Sequence, residues 1–132
     1  MITLSIPVRN GRLAVIGNAL DAGSAGGVLR IYSGPRPEIG QALTEQIVLV
    51  ELHLPKPCVL SLDGGQLVFA PIGEALCRRS GIAAWARLAD GDGRWVADLD
   101  VGLAGSGAEV ELSALQLFAG GAVNVNLAEI SE

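Results

Sequence analysis

Residues 82–101 constrain this chain more than any other stretch, because they read as two strands folded back at Asp90-Gly91-Asp92-Gly93. If that acidic, glycine-rich turn closes a hairpin whose paired positions sum to 183, then Ile82 is expected opposite Val101, Ala84 opposite Leu99, Ala86 opposite Ala97 and Leu88 opposite Trp95. All eight are apolar. The other face then pairs Arg87 with Val96, Trp85 with Asp98 and Ala83 with Asp100, and is mixed. A slip of one residue would set apolar side chains against polar ones, so the pattern specifies its own register. The expectation is an antiparallel sheet with one buried face, the unit of a β-sandwich. Trp95 belongs to the core in this reading, and Trp85 to a contact face.

The chain has 132 residues, enough for one domain with a real core. Half of it is hydrophobic and only 17% is charged, which excludes a disordered chain. Aromatic residues are scarce (Tyr32, Phe69, Trp85, Trp95 and Phe118), so the core must be aliphatic. So apolar a domain with so few charges points to a surface partly covered by other subunits. The net charge is −5, and Arg78-Arg79 is the only adjacent basic pair, so no clustered positive groove for nucleic acid is expected. No apolar run approaches the length of a membrane span, and residues 1–5 carry no signal-peptide pattern. Cys58 and Cys77 read as two buried thiols, and one histidine without a Cys-x-x-Cys pair gives no ready zinc site.

Residues 2–8 alternate weakly, as an edge strand or arm would. Asn10 is the expected cap of a short helix over residues 11–20, with Leu13, Ile16 and Leu20 on its packed face. A strand at 28–32 ends at a proline-stiffened loop reaching about Thr44, and residues 47–54 read as a central strand. A second hairpin is expected around Asp63-Gly64-Gly65, and one helical turn at 74–78. A glycine loop at 102–107, a short strand at 109–112 and an alternating strand at 122–127 complete the chain. About eight short strands at regular intervals indicate an all-β antiparallel sandwich or jelly-roll, with one short N-terminal helix, in a single domain over 1–132. In the 109–112 strand, Glu109 and Glu111 are expected on one face and Val110 and Leu112 on the other.

Several motifs together are similar to a family of small proteins encoded among the virion-assembly genes of tailed bacteriophages and prophages. They are Arg9-Asn10, Leu20-Asp21-Ala22-Gly23, the segment Gly27-Val28-Leu29-Arg30-Ile31-Tyr32-Ser33-Gly34-Pro35-Arg36-Pro37, and the hairpin of Trp85, Arg87 and the Asp90–Gly93 turn. Ser106-Gly107-Ala108-Glu109-Val110-Glu111-Leu112 and Gly120-Gly121-Ala122-Val123-Asn124-Val125 continue the likeness. The chain departs from the family at Ala86, where an aromatic is usual, and at Val110-Glu111-Leu112, where Leu-Asn repeats are usual. The resemblance implies a virion structural protein, foremost a capsid decoration or cement subunit. Its implied partners are the major capsid protein and copies of itself, as a trimer.

The chemical motifs point away from catalysis. Asp90-Gly91-Asp92-Gly93 resembles a calcium loop but lacks the remaining ligands and the flanking helices. Asp98 and Asp100 share a strand face, where they are expected to be solvated or to meet Arg87. The 102–107 loop has phosphate-loop glycine spacing without a lysine or a following helix, and His53 is expected as a partly buried structural histidine. No enzyme activity, cofactor, metal, membrane or small-molecule ligand is expected. Arg30, Tyr32, Arg36, Trp85 and Arg87 are the candidate protein-contact residues, with Arg36 on a loop that loses little entropy on docking. Two rival readings are a neck or tail component and a carbohydrate-binding module that uses Trp85 as its platform.

Overall fold

A computed structural model describes residues 2–39 and 41–132. Helix α1 (Ile6–Asp21) is followed by β1 (Val28–Ser33), β2 (Ile47–His53), β3 (Val59–Asp63), β4 (Gln66–Phe69) and β5 (Ala75–Leu76). Then come β6 (Gly81–Ile82), β7 (Trp85–Ala89), β8 (Trp95–Leu103), β9 (Val110–Leu112), β10 (Gln116–Leu117), β11 (Ala122–Val123) and β12 (Val125–Ser131). Eight of these strands form one curled sheet in the order β2-β1-β7-β8-β9-β12-β4-β3, and β6–β10 and β5–β11 make two short ladders beside it. Curling lets the inner face bury itself: Leu29, Leu88 and Leu99 from one half share a core with Leu67, Phe69, Val110 and Ala128 from the other. The protein is all-β and sandwich-like with one helix, as expected.

The helix starts earlier than its apolar spacing suggests. Ser5 caps it, accepting from the Val8 amide at 3.4 Å, and Pro7 sits in the first turn, where its missing N–H costs nothing. Residues 6–8 are therefore helical rather than strand, and Asn10 lies inside the helix, its Oδ1 accepting from the Gly65 amide at 2.8 Å. Leu13, Gly17 and Leu20 face the core. Gly17 is needed there because a Cβ would stand 2.7 Å from Val59 Cγ2.

The central hairpin forms with its register moved by two residues. Ala86 pairs with Leu99, Arg87 with Asp98 and Trp85 with Asp100, sums of 185 rather than 183. A two-residue slip keeps every side chain on its face, which is why Ala86, Leu88 and Leu99 are core residues as expected. A bulge between Leu88 and Ala89 then sets Trp95 opposite Ala89, on the outer face. The strand begins only at Trp85, because Ala83 and Ala84 donate to Leu115 and Tyr32 and Ile82 pairs with Gln116. Residues 75–76 are strand rather than a helical turn, and the alternating 122–127 segment is split between β11 and β12. β2 is an edge strand, not a central one, although Leu49, Val50 and Leu52 are fully buried.

One pairing breaks the antiparallel rule: β8 and β9 run parallel, with Val101 beside Val110 and Leu103 beside Leu112. Parallel neighbours ordinarily need a dozen or more connecting residues. Here residues 104–109 suffice, turning through Gly105 and Gly107, both at φ +84°.

Two glycine motifs lock together at the sheet's end. A Cβ on Gly23 would stand 2.9 Å from the Gly91 amide nitrogen, and one on Gly91 would overlap the Ala25 carbonyl oxygen. Ser24 Oγ donates to Asp92 Oδ1 at 2.9 Å, and Lys56 Nζ donates to the Gly23 carbonyl at 2.9 Å. Gly91→Ala must push two backbones apart, so it is expected to lower unfolding free energy by about 3 kcal/mol. Gly11→Ala meets no atom within 4 Å on the exposed side of α1. It is expected to raise stability by about 1 kcal/mol, with urea denaturation measuring both.

Candidate interaction face

The outer face of β2, β1, β7 and β8 carries three registered rows. Glu51, Arg30, Arg87 and Asp98 stand side by side across the four strands. One step along lie Val48, Tyr32, Trp85 and Asp100, and one step back lie His53, Val28, Ala89 and Trp95. Arg30 directly opposite Arg87 is a repulsive pair unless compensated. Compensation comes from both sides. Arg87 donates through Nε to Asp98 Oδ1 at 2.8 Å and through Nη2 to Oδ2 at 3.1 Å, while Arg30 Nη2 reaches Glu51 Oε1 at 3.5 Å. Glu51 also accepts from Arg78 Nη2 at 2.8 Å.

Arg87 is the centre of this face. Its guanidinium carbon lies 5.3 Å from the Trp85 ring and 5.8 Å from the Trp95 ring, an indole-lined slot favourable to a cation. Hydrogen bonding to Asp98 pushes its pKa further up against the opposing cost of burial. Trp95 Nε1 donates to the same Asp98 oxygen at 3.1 Å. Tyr32 stacks on Trp85 with centroids 4.5 Å apart and planes 11° from parallel. Arg36 ties the proline-flanked loop down onto the row, bonding Asp100 Oδ1 at 2.8 Å and the Asp98 carbonyl at 2.7 Å.

The five contact candidates thus meet on one sheet face, but their roles differ from expectation. Trp85 is only 1% exposed and Tyr32 is buried beside it, so neither offers a platform to sugar or protein. Trp95, assigned to the core from the sequence, is 47% exposed. The inversion has two causes: the bulge turns Trp95 outward, and Arg87 and the Tyr32 ring cover Trp85. Trp85 Nε1 has no hydrogen-bond partner among the described residues. Asp98 meets Arg87 as anticipated; Glu51 and Trp95 were missed, and only the true register would have placed them there.

The remaining chemical motifs are occupied from within. Asp90 is buried and its Oδ1 accepts from the amides of Asp92 and Arg94 at 2.9 Å each, so its carboxylate fills the turn that resembled a calcium loop. Glu111, expected to share an outward face with Glu109, is buried and accepts from the amides of Gly105 at 2.9 Å and Gly107 at 3.1 Å. The glycine loop is therefore an anion nest filled by its own carboxylate. Cys58 and Cys77 are free and buried, and burial first, then Asp21, pushes the Cys58 thiol up to about 12. His53 is exposed at the end of β2 rather than partly buried, since its strand neighbour Leu52 takes the core side. Among the described residues, no three His, Cys, Asp or Glu side chains are grouped to hold a metal.

A second surface is apolar. The β5–β11 and β6–β10 ladders are joined by Cys77 and Gly121, by Gly120 and Cys77, and by Ala119 donating to Ser80 Oγ. Their inward residues Cys77, Ala83, Leu117 and Val123 enter the core. Their outward residues Leu76, Ile82 and Phe118 are 65%, 61% and 67% exposed.

Asp98→Ala leaves Arg87 charged and mostly buried without its partner, and is expected to cost about 3 kcal/mol by urea denaturation. Asp90 supplies a pH signature. Backbone hydrogen bonds, chiefly from Arg94, hold its carboxyl below its ordinary 3.8, so its stabilisation is present above that value and is lost as pH falls through the lower folded value. The stability difference between the natural chain and Asp90→Asn is expected to be constant near neutrality and to shrink as pH falls below 3.8, read from denaturation midpoints across pH. No protein-family model, curated protein or solved structure matches the chain.

Proposed function

We propose that this protein is a non-catalytic structural subunit of a tailed-phage particle, acting as a decoration or cement protein on the capsid shell. Its partners in this reading are the major capsid protein and further copies of itself. The observation that carries the reading is that Leu76, Ile82 and Phe118, all on or next to the two short ladders, are large apolar side chains left more than half exposed on a small domain. Burying each such side chain is worth about 1.5–3 kcal/mol. Repetition around a shell multiplies a modest contact into a large one. The family resemblance of the Leu29-Arg30-Ile31-Tyr32-Ser33-Gly34 segment and the 85–93 hairpin supplies the particle context. Asp90 and Glu111 are taken up by backbone amides and Asp98 and Asp100 by arginines, which suits a structural part.

Antibody labelling and cryo-electron microscopy of intact particles test this. The expected result is density and label repeated over the head shell, lost when Leu76→Asp and Phe118→Asp are combined in a chain that retains its circular-dichroism spectrum. Label confined to the neck or tail transfers the protein to that structure, and absence from particles ends the reading.

A further inference from the structure

The loop between β1 and β2 and the foot of β2 are complementary surfaces that do not meet within one chain. The loop carries Glu38, Ile39, Leu43 and Glu45. Ile39 is 92% exposed, the largest exposure of any large apolar side chain described, and Leu43 is also exposed. Neither glutamate has an ion pair among the described residues. Beside the point where the loop rejoins the sheet lies an open cleft of about 340 Å³, lined by Gln46, Ile47, Val48, Arg78 and Arg79. Ile47 and Val48 at the start of β2 line it on one side and two exposed arginines on the other, of which Arg79 forms no ion pair among the described residues. A loop carrying two carboxylates and two apolar side chains thus matches a cleft with two guanidiniums beside an aliphatic stretch of strand. The loop does not fill its own cleft. Arg36 pins its first half to Asp100 and Asp98 on the sheet face, and Gln46 Nε2 closes its base on the Pro35 carbonyl at 2.6 Å.

We propose that the cleft seats Glu38, Ile39, Leu43 and Glu45 of a second copy of this chain, with Ile39 and Leu43 against the Ile47–Val48 stretch and the glutamates against Arg78 and Arg79. The inference deepens the proposed function by naming the surfaces through which copies meet, and in that sense it rests on it. Charge complementarity selects the occupant: a chain of net charge −5 presents its only adjacent arginine pair at this cleft and an acidic, apolar loop elsewhere. Knob and cleft are different patches, so the contact is head-to-tail and closes into a ring when the rotation between copies allows.

Sedimentation velocity on the purified full chain tests the contact. The natural chain is expected to self-associate in a concentration-dependent manner, and Ile39→Asp or Arg79→Glu alone to weaken association at least about tenfold. Both sites are exposed, and unchanged circular dichroism and melting temperature identify folded variants. Mixing the two variants is the decisive arm. The intact loop of the Arg79→Glu chain fits the intact cleft of the Ile39→Asp chain, so a one-to-one complex is expected where neither variant associates by itself. A natural chain that stays monomeric at its highest soluble concentration, association indifferent to both variants, or a mixture that fails to form the complex overturns the proposal. Particle labelling reads the functional proposal separately: label on the shell with variant-indifferent association sinks this interface alone, while variant-sensitive association without label sinks the particle role alone.

Discussion

The structure depends on a guanidinium held between two indoles. A curled sheet can bury its inner face against itself, but its outer face has no second layer to cover it. In this chain the cover on β1, β7 and β8 is made from the residues of that face. Arg87 lies between Trp85 and Trp95, Asp98 fixes it from the side, and the Tyr32 ring closes the remaining flank of Trp85. The Arg87 guanidinium is itself mostly buried in that slot and paired with an equally buried Asp98, so a charged row does the work of a hydrophobic layer. The arrangement is costly to perturb, because each charge is satisfied only by its neighbour. It also explains a face rich in arginine and tryptophan that is nonetheless largely self-satisfied.

The same principle recurs in the loops. Tight turns collect backbone amides that point inward and would cost free energy if left unpaired. Asp90 and Glu111 each supply a carboxylate from inside the fold to collect them. Glu111 has a further consequence, since it stabilises the short return that lets β9 run parallel to β8. Motifs that look from the sequence like cation or phosphate loops are thereby closed by chain chemistry alone. Gly91 and Gly23 complete the design, because only residues without a Cβ allow the turn to lie on the helix-to-strand connection.

Period-two alternation made the fold class, the position of the central hairpin, the 59–69 hairpin and the aliphatic core legible, since each depends on which face a side chain takes. It cannot register events that leave alternation intact or break it by one residue. The two-residue slip in the hairpin is invisible to it, and the bulge that turns Trp95 outward has no signature beyond Val96 following it. The start of α1 was misjudged because Asn10 is a good cap in isolation, whereas Ser5 followed by Pro7 is the pair the backbone uses. β2 read as central because its buried side chains are indistinguishable from those of an inner strand. Its free edge is partly covered by the chain after β5, where the Arg78 amide donates to the Leu49 carbonyl, and that contact lies far away in sequence. The candidate face was recognised residue by residue, but not which members point outward, because exposure there is decided by cross-strand stacking.

Electrostatics at two ranges bear on assembly. Copies of net charge −5 repel at long range, yet that repulsion is screened over about 8 Å at physiological ionic strength. A carboxylate meeting a guanidinium at contact distance lies well inside that length and is screened much less once apolar neighbours exclude water. Net charge therefore keeps dilute copies apart without opposing a local contact between Glu38 or Glu45 and Arg79. Arg78 is differently placed, since it already shares Glu51 with Arg30. Arg30 holds one oxygen of Glu51 at 3.5 Å and Arg78 the other at 2.8 Å. The cleft and the arginine row are thus joined through one carboxylate, so a substitution at Glu51 bears on both.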